Sequence, residues 1–111
     1  MDRLMFIELG MGADLQGQDP TKASVKAIKD AIGHNYLPAM RALTNEGHTM
    51  KVHVRLGVPA GAGGVDLDTV KAALPHGEVT LEVVDGGMLT PSGTPEFGQI
   101  CMVVAAVEVG I

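Results

Sequence analysis

Apolar residues are concentrated in four runs that have the two-residue period of β-strands. In residues 3–11, one face carries Met5, Ile7 and Leu9 and the other Leu4, Phe6 and Glu8, so both are mainly apolar and this run is predicted to be a strand covered on both faces. Residues 99–109 are also apolar on both faces, except at Glu108, which predicts a strand in the middle of the sheet. Residues 51–58 and 78–84 alternate apolar and polar side chains and are predicted to turn one face to the core.

The polar faces of the two alternating runs carry opposite charges. Lys51, His53 and Arg55 belong to the first run, whereas Glu78 and Glu82 belong to the second. Opposite charges stabilise neighbouring strands, so these two runs are predicted to pair. The basic side chains are then engaged by carboxylates, although ligand binding by His53 and Arg55 stays open as the alternative.

Helical periodicity occupies the segments between the strands. Asp19 followed by Pro20 is a typical helix start. Pro38 predicts a break in this helix over residues 33–38, followed by a second helical segment over residues 39–43. Another short helix is predicted to begin within residues 65–68 and to end near Leu74. The spacing of apolar residues predicts the buried stripe of the first helix: Val25, Ile28, Ile32 and Tyr36.

The element order is strand, helix, strand, helix, strand, strand, in a single domain over residues 1–111. This order predicts an α+β fold in which a single four-stranded sheet has two main helices on one face. It is similar to the order of the chorismate-mutase-like fold, whose last strand lies between the first and the second. That resemblance implies a trimer with ligands at subunit interfaces, by analogy of fold alone.

The composition indicates that the chain associates with copies of itself. The chain is 46% hydrophobic but only 3% aromatic, and its mean hydropathy of +0.23 is high for a small monomer. We therefore expect apolar surface to be buried between subunits of a homo-oligomer. A net charge of −5 with few aromatic residues excludes nucleic-acid binding.

The cellular location of the protein is predicted from its cysteine content and from the lengths of its apolar runs. The single Cys101 lies in an apolar strand, where a buried inert thiol is expected, and fits a reducing cytoplasm. No apolar run approaches the length needed to span a membrane, and the first residues lack the pattern of a signal peptide. The protein is predicted to be cytoplasmic.

A glycine-rich turn joins the first strand to the first helix. Its glycines allow unusual backbone angles or close approach of another group, and the helix N–H groups point into it. The P-loop lysine is missing, and nearby carboxylates repel phosphate. Two interpretations stay open: a tight turn whose carboxylates cap the helix, and a ligand-binding loop formed by Gly10, Gly12, Asp14, Gln16, Gly17, Asp19 and Thr21.

This turn resembles the marker of the Lin0512 family, a group of small hypothetical proteins from bacteria and plants. The family pattern is Gly-x-Gly-x-Asp-x-His-Gly, and the chain departs from it at Gln16, which stands in place of histidine. Glutamine cannot shuttle a proton and is a poor metal ligand, so no role of that imidazole carries over. The resemblance covers nearly the whole chain but implies no activity, because the family has none assigned.

Three constellations could carry chemistry. Glu8 and Glu108 would form a candidate catalytic pair if the first and last strands are neighbours, since crowded carboxylates suit acid–base work. Each could instead be satisfied separately. Asp14 and Asp19 could meet His53 or Arg55 across a subunit interface. Ser92 with a base such as Lys22 is a weaker nucleophile candidate, because its surroundings are ordinary turn composition.

The sequence thus supports two hypotheses of different classes. The first is a homo-oligomer, with a trimer favoured, that has a small-molecule-binding or enzyme site at the subunit interface near the glycine turn. The second is a non-catalytic assembly module whose glycine turn lets subunits approach. The sequence identifies no metal site, and any cofactor is unknown.

Overall fold

The computed structural model describes residues 1–111 and has an α+β fold. In chain order the elements are β1 (Leu4–Asp14), α1 (Pro20–Ile32), α2 (Pro38–Asn45), β2 (Lys51–Val58), α3 (Leu67–Lys71), β3 (Glu78–Asp85), β4 (Met88–Pro91) and β5 (Gln99–Gly110). The predicted strands, the break before α2 and the start of α1 are confirmed. The sheet has five strands instead of four, because β4 lies in a segment predicted as loop.

The last strand is central, as predicted. The sheet order is β1-β5-β2-β3, with β5 antiparallel to both β1 and β2. Strand β3 runs parallel to β2, and α3 lies in the connection between them. The chain then turns at Gly87, whose φ of 63° suits glycine, and β4 pairs with the start of β5.

Helix α1 lies directly on β1 because two glycines of the strand face it. A Cβ on Gly10 would overlap backbone atoms of Ala27 and Ala31. A Cβ on Gly12 would overlap backbone atoms of Ala23 and Ala27. The contact is therefore possible only between glycines on the strand and small residues on the helix.

This close contact explains why the predicted buried stripe of α1 is partly wrong. Ile28 is buried as expected, but Val25 and Ile32 are only half-buried, and Tyr36 is 76% exposed beyond the end of the helix. The helix instead turns its alanines to the strand, since a larger side chain there would hold the two backbones apart.

The two faces of the sheet differ in what covers them. On the covered face, helices bury alternate residues of the central strands: Val52, Val54, Leu56, Val58, Cys101, Val103, Ala105, Val107 and Val109. On the opposite face, which we call the open face, no element of the chain packs. It contains Ile7, Leu9, Met11, His53, Arg55, Thr80, Glu82, Val84, Met88, Met102, Val104, Ala106 and Glu108.

The expectation that β1 is covered on both faces is not met within one chain. Ile7 is 59% exposed and Leu9 is 74% exposed, although both are large apolar side chains. The outer edge of β1 is better protected. Asp30 of α1 accepts a hydrogen bond from the Met11 N–H at 2.9 Å, and Lys26 donates to the Ala13 carbonyl at 3.0 Å. Side chains that form hydrogen bonds with the backbone N–H and C=O groups of an edge strand in this way block its pairing with another strand.

Candidate functional site

The predicted catalytic pair is not formed, because its two carboxylates lie on opposite faces of the sheet. In the β1–β5 register, Glu8 lies opposite Val107, whereas Glu108 lies opposite Ile7. Neighbouring residues of a strand point to opposite faces, so a pairing offset by one residue separates the two glutamates. Glu8 is buried on the covered face, and Glu108 lies on the open face.

On the open face, Glu108 belongs to a row of mutually satisfied polar groups. Arg55 donates hydrogen bonds to Glu82 and, at 3.1 Å, to Glu108. His53 is 2.6 Å from the Thr80 hydroxyl and 3.6 Å from a Glu82 oxygen. The predicted pairing of β2 with β3 through opposite charges is thereby confirmed for His53 and Arg55.

These contacts stabilise the charged forms of both partners. The hydrogen bond from Arg55, followed by its charge and that of His53, lowers the pKa of the Glu82 carboxyl, with desolvation opposing. The same hydrogen bond and the charge of Glu82 raise the pKa of Arg55, with desolvation opposing and a smaller contribution from Glu108. The row is an exposed ion-pair network and has no free charged group among these three residues.

The glycine turn is held by its own carboxylates. Asp14 accepts a hydrogen bond from the Asp19 N–H at 2.8 Å, and Asp19 caps α1 by accepting from the Thr21 N–H at 2.9 Å. The Thr21 hydroxyl in turn accepts from the Asp66 N–H at 2.9 Å, which ties the start of α1 to the start of α3. Gly17 sits against the Asp14 carboxylate, where a Cβ would crowd it. The capping interpretation accounts for all of these contacts.

Within one chain, the turn does not meet the basic residues of β2. Asp14 lies opposite Cys101 on β5, whereas His53 lies opposite Glu108, seven residues further along the same strand. At about 3.3 Å per residue this is a separation of more than ~20 Å. Arg55 lies opposite Ala106, five residues from Cys101, so it is also out of reach of the turn, and a site that combines Asp14 or Asp19 with His53 or Arg55 requires two subunits.

Cys101 and Ser92 have structural surroundings. Cys101 is fully buried, and desolvation raises the pKa of its thiol, with smaller contributions from the charges of Asp14 and Asp19. A thiol of this kind is a poor nucleophile. The Ser92 hydroxyl donates to the Thr94 carbonyl at 2.8 Å within its own turn, and Lys22 is not among its partners.

The covered face also borders a cleft that the sequence does not reveal. Its volume is about 860 Å³, and it lies between α2 and the ends of the strands. Glu8, Val107 and Val109 contribute to its floor, whereas Arg41 and His48 contribute to its walls. The residues come from separate segments of the chain, so only Glu8, an isolated carboxylate in an apolar strand, marks the cleft in the sequence.

Comparison with known proteins agrees with the resemblance of the glycine turn. The profile of a conserved hypothetical protein family, Lin0512_fam, matches residues 4–109. The chain belongs to the Lin0512 family. No match is found among curated proteins. A similar solved structure is that of an FtsZ-like protein of unknown function from Nostoc punctiforme, with 35% identity, a TM-score of 0.83 and coverage of 96% of this chain and 93% of that chain.

The family marker can now be described in terms of contacts. In this Lin0512 protein, Gly10 and Gly12 give α1 access to β1, and Asp14 holds the turn. Gln16, which replaces the family histidine, is exposed at the tip of the turn and makes no side-chain hydrogen bond. Ligand contact by this turn stays a prediction.

Two further properties bear on the class of site. No group of three or more His, Cys, Asp or Glu side chains is arranged to hold a metal ion. None of the helices has the length and apolar character needed to cross a membrane.

Proposed function

We propose that this protein is the subunit of a homo-oligomeric small-molecule-binding protein, in which the open face of the sheet is buried between subunits. The observation that carries the proposal is the exposure of large apolar side chains side by side on that face, among them Leu9, Met11 and Val104. Contiguous apolar patches on soluble proteins commonly mark interaction sites.

The accessible surface and the radius of gyration of the chain support the proposal that the isolated subunit leaves an interface uncovered. Its accessible surface is 6401 Å², whereas a folded monomer of 11.5 kDa is expected to expose about 5,800 Å². The radius of gyration is 15.2 Å, against about 13 Å for a compact chain of this length. Both differences reflect an elongated subunit of 55 × 22 × 19 Å, whose open face is not covered by its own chain.

A second copy of the chain is the occupant that fits this surface. The polar row beside the apolar patch contains both signs of charge, in Arg55, Glu82 and Glu108, so it can be complementary to itself. The outer edge of β1 is occupied by Asp30 and Lys26. Subunits therefore meet face to face and not by extension of the sheet.

A trimer is the oligomer favoured by resemblance. The sheet order, with β5 between β1 and β2, and the placement of helices on one face support the resemblance to the chorismate-mutase-like fold. Members of that fold are typically trimers with ligands at subunit interfaces, and we extend this arrangement to the present chain by analogy.

Within such an assembly, the small-molecule site would lie on the open face. His53, Arg55 and Glu108 lie beside the apolar patch, so assembly would enclose them, and a neighbouring subunit could bring Asp14 or Asp19 near them. The alternative is a non-catalytic assembly module. It is favoured by the mutual satisfaction of Arg55, Glu82 and Glu108, which leaves these groups little capacity for a ligand.

Native mass spectrometry of the gently purified protein tests the proposal. We expect an oligomer, and for Leu9→Asp we expect a monomer, because an unpaired charge would be buried in the interface. Tyr36→Asp is the matched control, since Tyr36 is equally exposed at 76% but does not lie on the open face. It should leave the assembly intact.

The outcomes also separate the two classes of function. Excess mass per subunit in the oligomer that disappears in the Leu9→Asp monomer would support an interface site. An oligomer without bound mass would favour the assembly module. A wild-type monomer at micromolar concentration would contradict the assembly itself.

A further inference from the structure

The cleft on the covered face has the size and lining of a ligand site. Its volume of about 860 Å³ falls within the range of small-molecule pockets, which are mostly apolar with a few placed polar groups. Ile32, Met40 and Val107 are among its apolar lining residues, and polar side chains that include Glu8 and Arg41 line the rest. The cleft lies within one chain and on the face opposite the proposed interface, so it is independent of assembly.

Glu8 is a mostly buried carboxylate at the cleft that has no cation beside it. Its residue is only 9% exposed, and a single side chain, Asn35, donates to its Oε2 at 2.6 Å. No Lys, Arg or His forms an ion pair with it, and its Oε1 has no hydrogen-bond partner in the chain. The unbonded oxygen is accessible from the cleft, so a ligand that brings a positive charge can form a charged hydrogen bond with it.

Asn35 adds a second acceptor beside this carboxylate. Its Nδ2 donates both to Glu8 and, at 2.6 Å, to the Ala31 carbonyl, which uses both N–H groups of the amide. The Asn35 Oδ1 is consequently free to accept. Two acceptors next to each other suit a protonated primary amine, which has three N–H donors.

The outer part of the cleft has the opposite character. Three basic side chains, Arg41, His48 and His76, line it beside one carboxylate, Glu78, and Arg41 makes no ion pair within the chain. An acidic group at the far end of a ligand would therefore find a basic partner there, whereas its amine would lie at the floor.

The wall that carries Arg41 is held loosely. Helix α2 has no side-chain cap at its N-terminus, and Met40 is its only buried residue. Elements with little buried apolar surface open at low free energy, so a molecule that bridges the floor and α2 should reduce local opening of this helix.

We propose that this cleft binds a small organic molecule that has a primary amine at one end, held by Glu8 and Asn35, an apolar body, and an acidic group at the other end, held by Arg41. The matched probes are hexylamine, hexanol and 6-aminohexanoate. Titrations followed by amide chemical shifts give the affinities and the location of binding.

For the wild-type protein we expect hexylamine to bind at least about tenfold more tightly than hexanol, because only the amine forms a charged hydrogen bond with Glu8. Binding should shift amides of the cleft and slow hydrogen exchange in α2. Glu8→Gln should abolish the preference for the amine. Glu96→Gln, in an exposed loop outside the cleft, is the control and should retain it.

Arg41→Gln tests the outer end separately and, because Arg41 is exposed and unpaired, should not affect folding. It should remove the advantage of 6-aminohexanoate over hexylamine while leaving the affinity for hexylamine unchanged. Equal affinities of the wild type for hexylamine and hexanol, or shifts confined to the open face, would overturn the proposal. Since Leu9→Asp should bind hexylamine as the wild type does, failure of the assembly proposal is distinguishable from failure of this one.

Discussion

The two faces of one sheet carry similar residues but meet different surroundings. On β5, Val103 and Val107 face the helices and are buried, whereas Val104, between them, is 49% exposed on the open face. The side chains are chemically the same, so composition alone cannot explain the difference. The covered face obtains its burial from its own chain, and the open face has to obtain it from outside.

The largest expected effect comes from truncating a leucine on each face. Leu56 is fully buried on the covered face, so Leu56→Ala should lower the free energy of unfolding by about 2–5 kcal/mol through lost burial and a cavity. Leu9→Ala removes the same atoms from the open face and should cost an isolated subunit no more than about 0.5 kcal/mol. Thermal unfolding at two protein concentrations measures both.

The concentration dependence sharpens the comparison. Leu56→Ala should lower the midpoint temperature equally at both concentrations. For Leu9→Ala, the difference in midpoint temperature between the two protein concentrations should be smaller than for the wild type, because assembly stabilises the folded state by mass action. Equal loss of stability from both substitutions, without any concentration dependence, would mean that the open face is not an interface.

The faces also differ in how well the sequence predicts them. The period of the apolar residues identifies the strands, and Asp19-Pro20 identifies the start of α1, because these signals are local. Whether Ile7 and Leu9 are covered by a helix or by another subunit is not a local property. The same apolar pattern is compatible with both.

The candidate catalytic pair failed for a related reason. Glu8 and Glu108 do lie in neighbouring strands, the condition for the pair, but the register that separates them is fixed by pairing along the whole of β1 and β5. The cleft could not be predicted either, since Glu8, Asn35 and Arg41 come together only through the path of the backbone between α1 and β2. Its one sequence signal is a carboxylate in an otherwise apolar strand.

A smaller but still clear effect is expected where α1 contacts the covered face. Gly12→Ala should lower the free energy of unfolding by about 1–3 kcal/mol, because the added Cβ forces α1 away from β1. Gly64→Ala is the matched control: nothing lies within 4 Å of a Cβ there, so the change should stay within about 0.5 kcal/mol. Urea denaturation with an unchanged m-value measures both. Similar midpoints for the two variants would show that the helix does not need glycine at this position.

The smallest effect concerns the polar row of the open face and depends on pH. Hydrogen bonding with Arg55 lowers the pKa of Glu82 below its ordinary value of 4.5. A carboxyl whose pKa is lower in the folded than in the unfolded chain contributes stability that is fully present above the unfolded value. That stability is lost as the pH falls through the folded value.

Glu82→Gln should therefore destabilise the protein slightly at pH 7 and flatten the decline of its midpoint temperature below about pH 4.5. Glu96→Gln is the control, because Glu96 is exposed in a loop and forms no ion pair, and its curve should parallel that of the wild type. Hydrogen bonds with Thr69, which involve neither substituted residue, also lower the pKa of Asp66, so part of the acid dependence should remain. If the curves of midpoint temperature against pH are parallel for Glu82→Gln and the wild type, the ion pairs of the open face contribute nothing to the free energy of unfolding. In that case the apolar half of the face alone would have to account for any assembly.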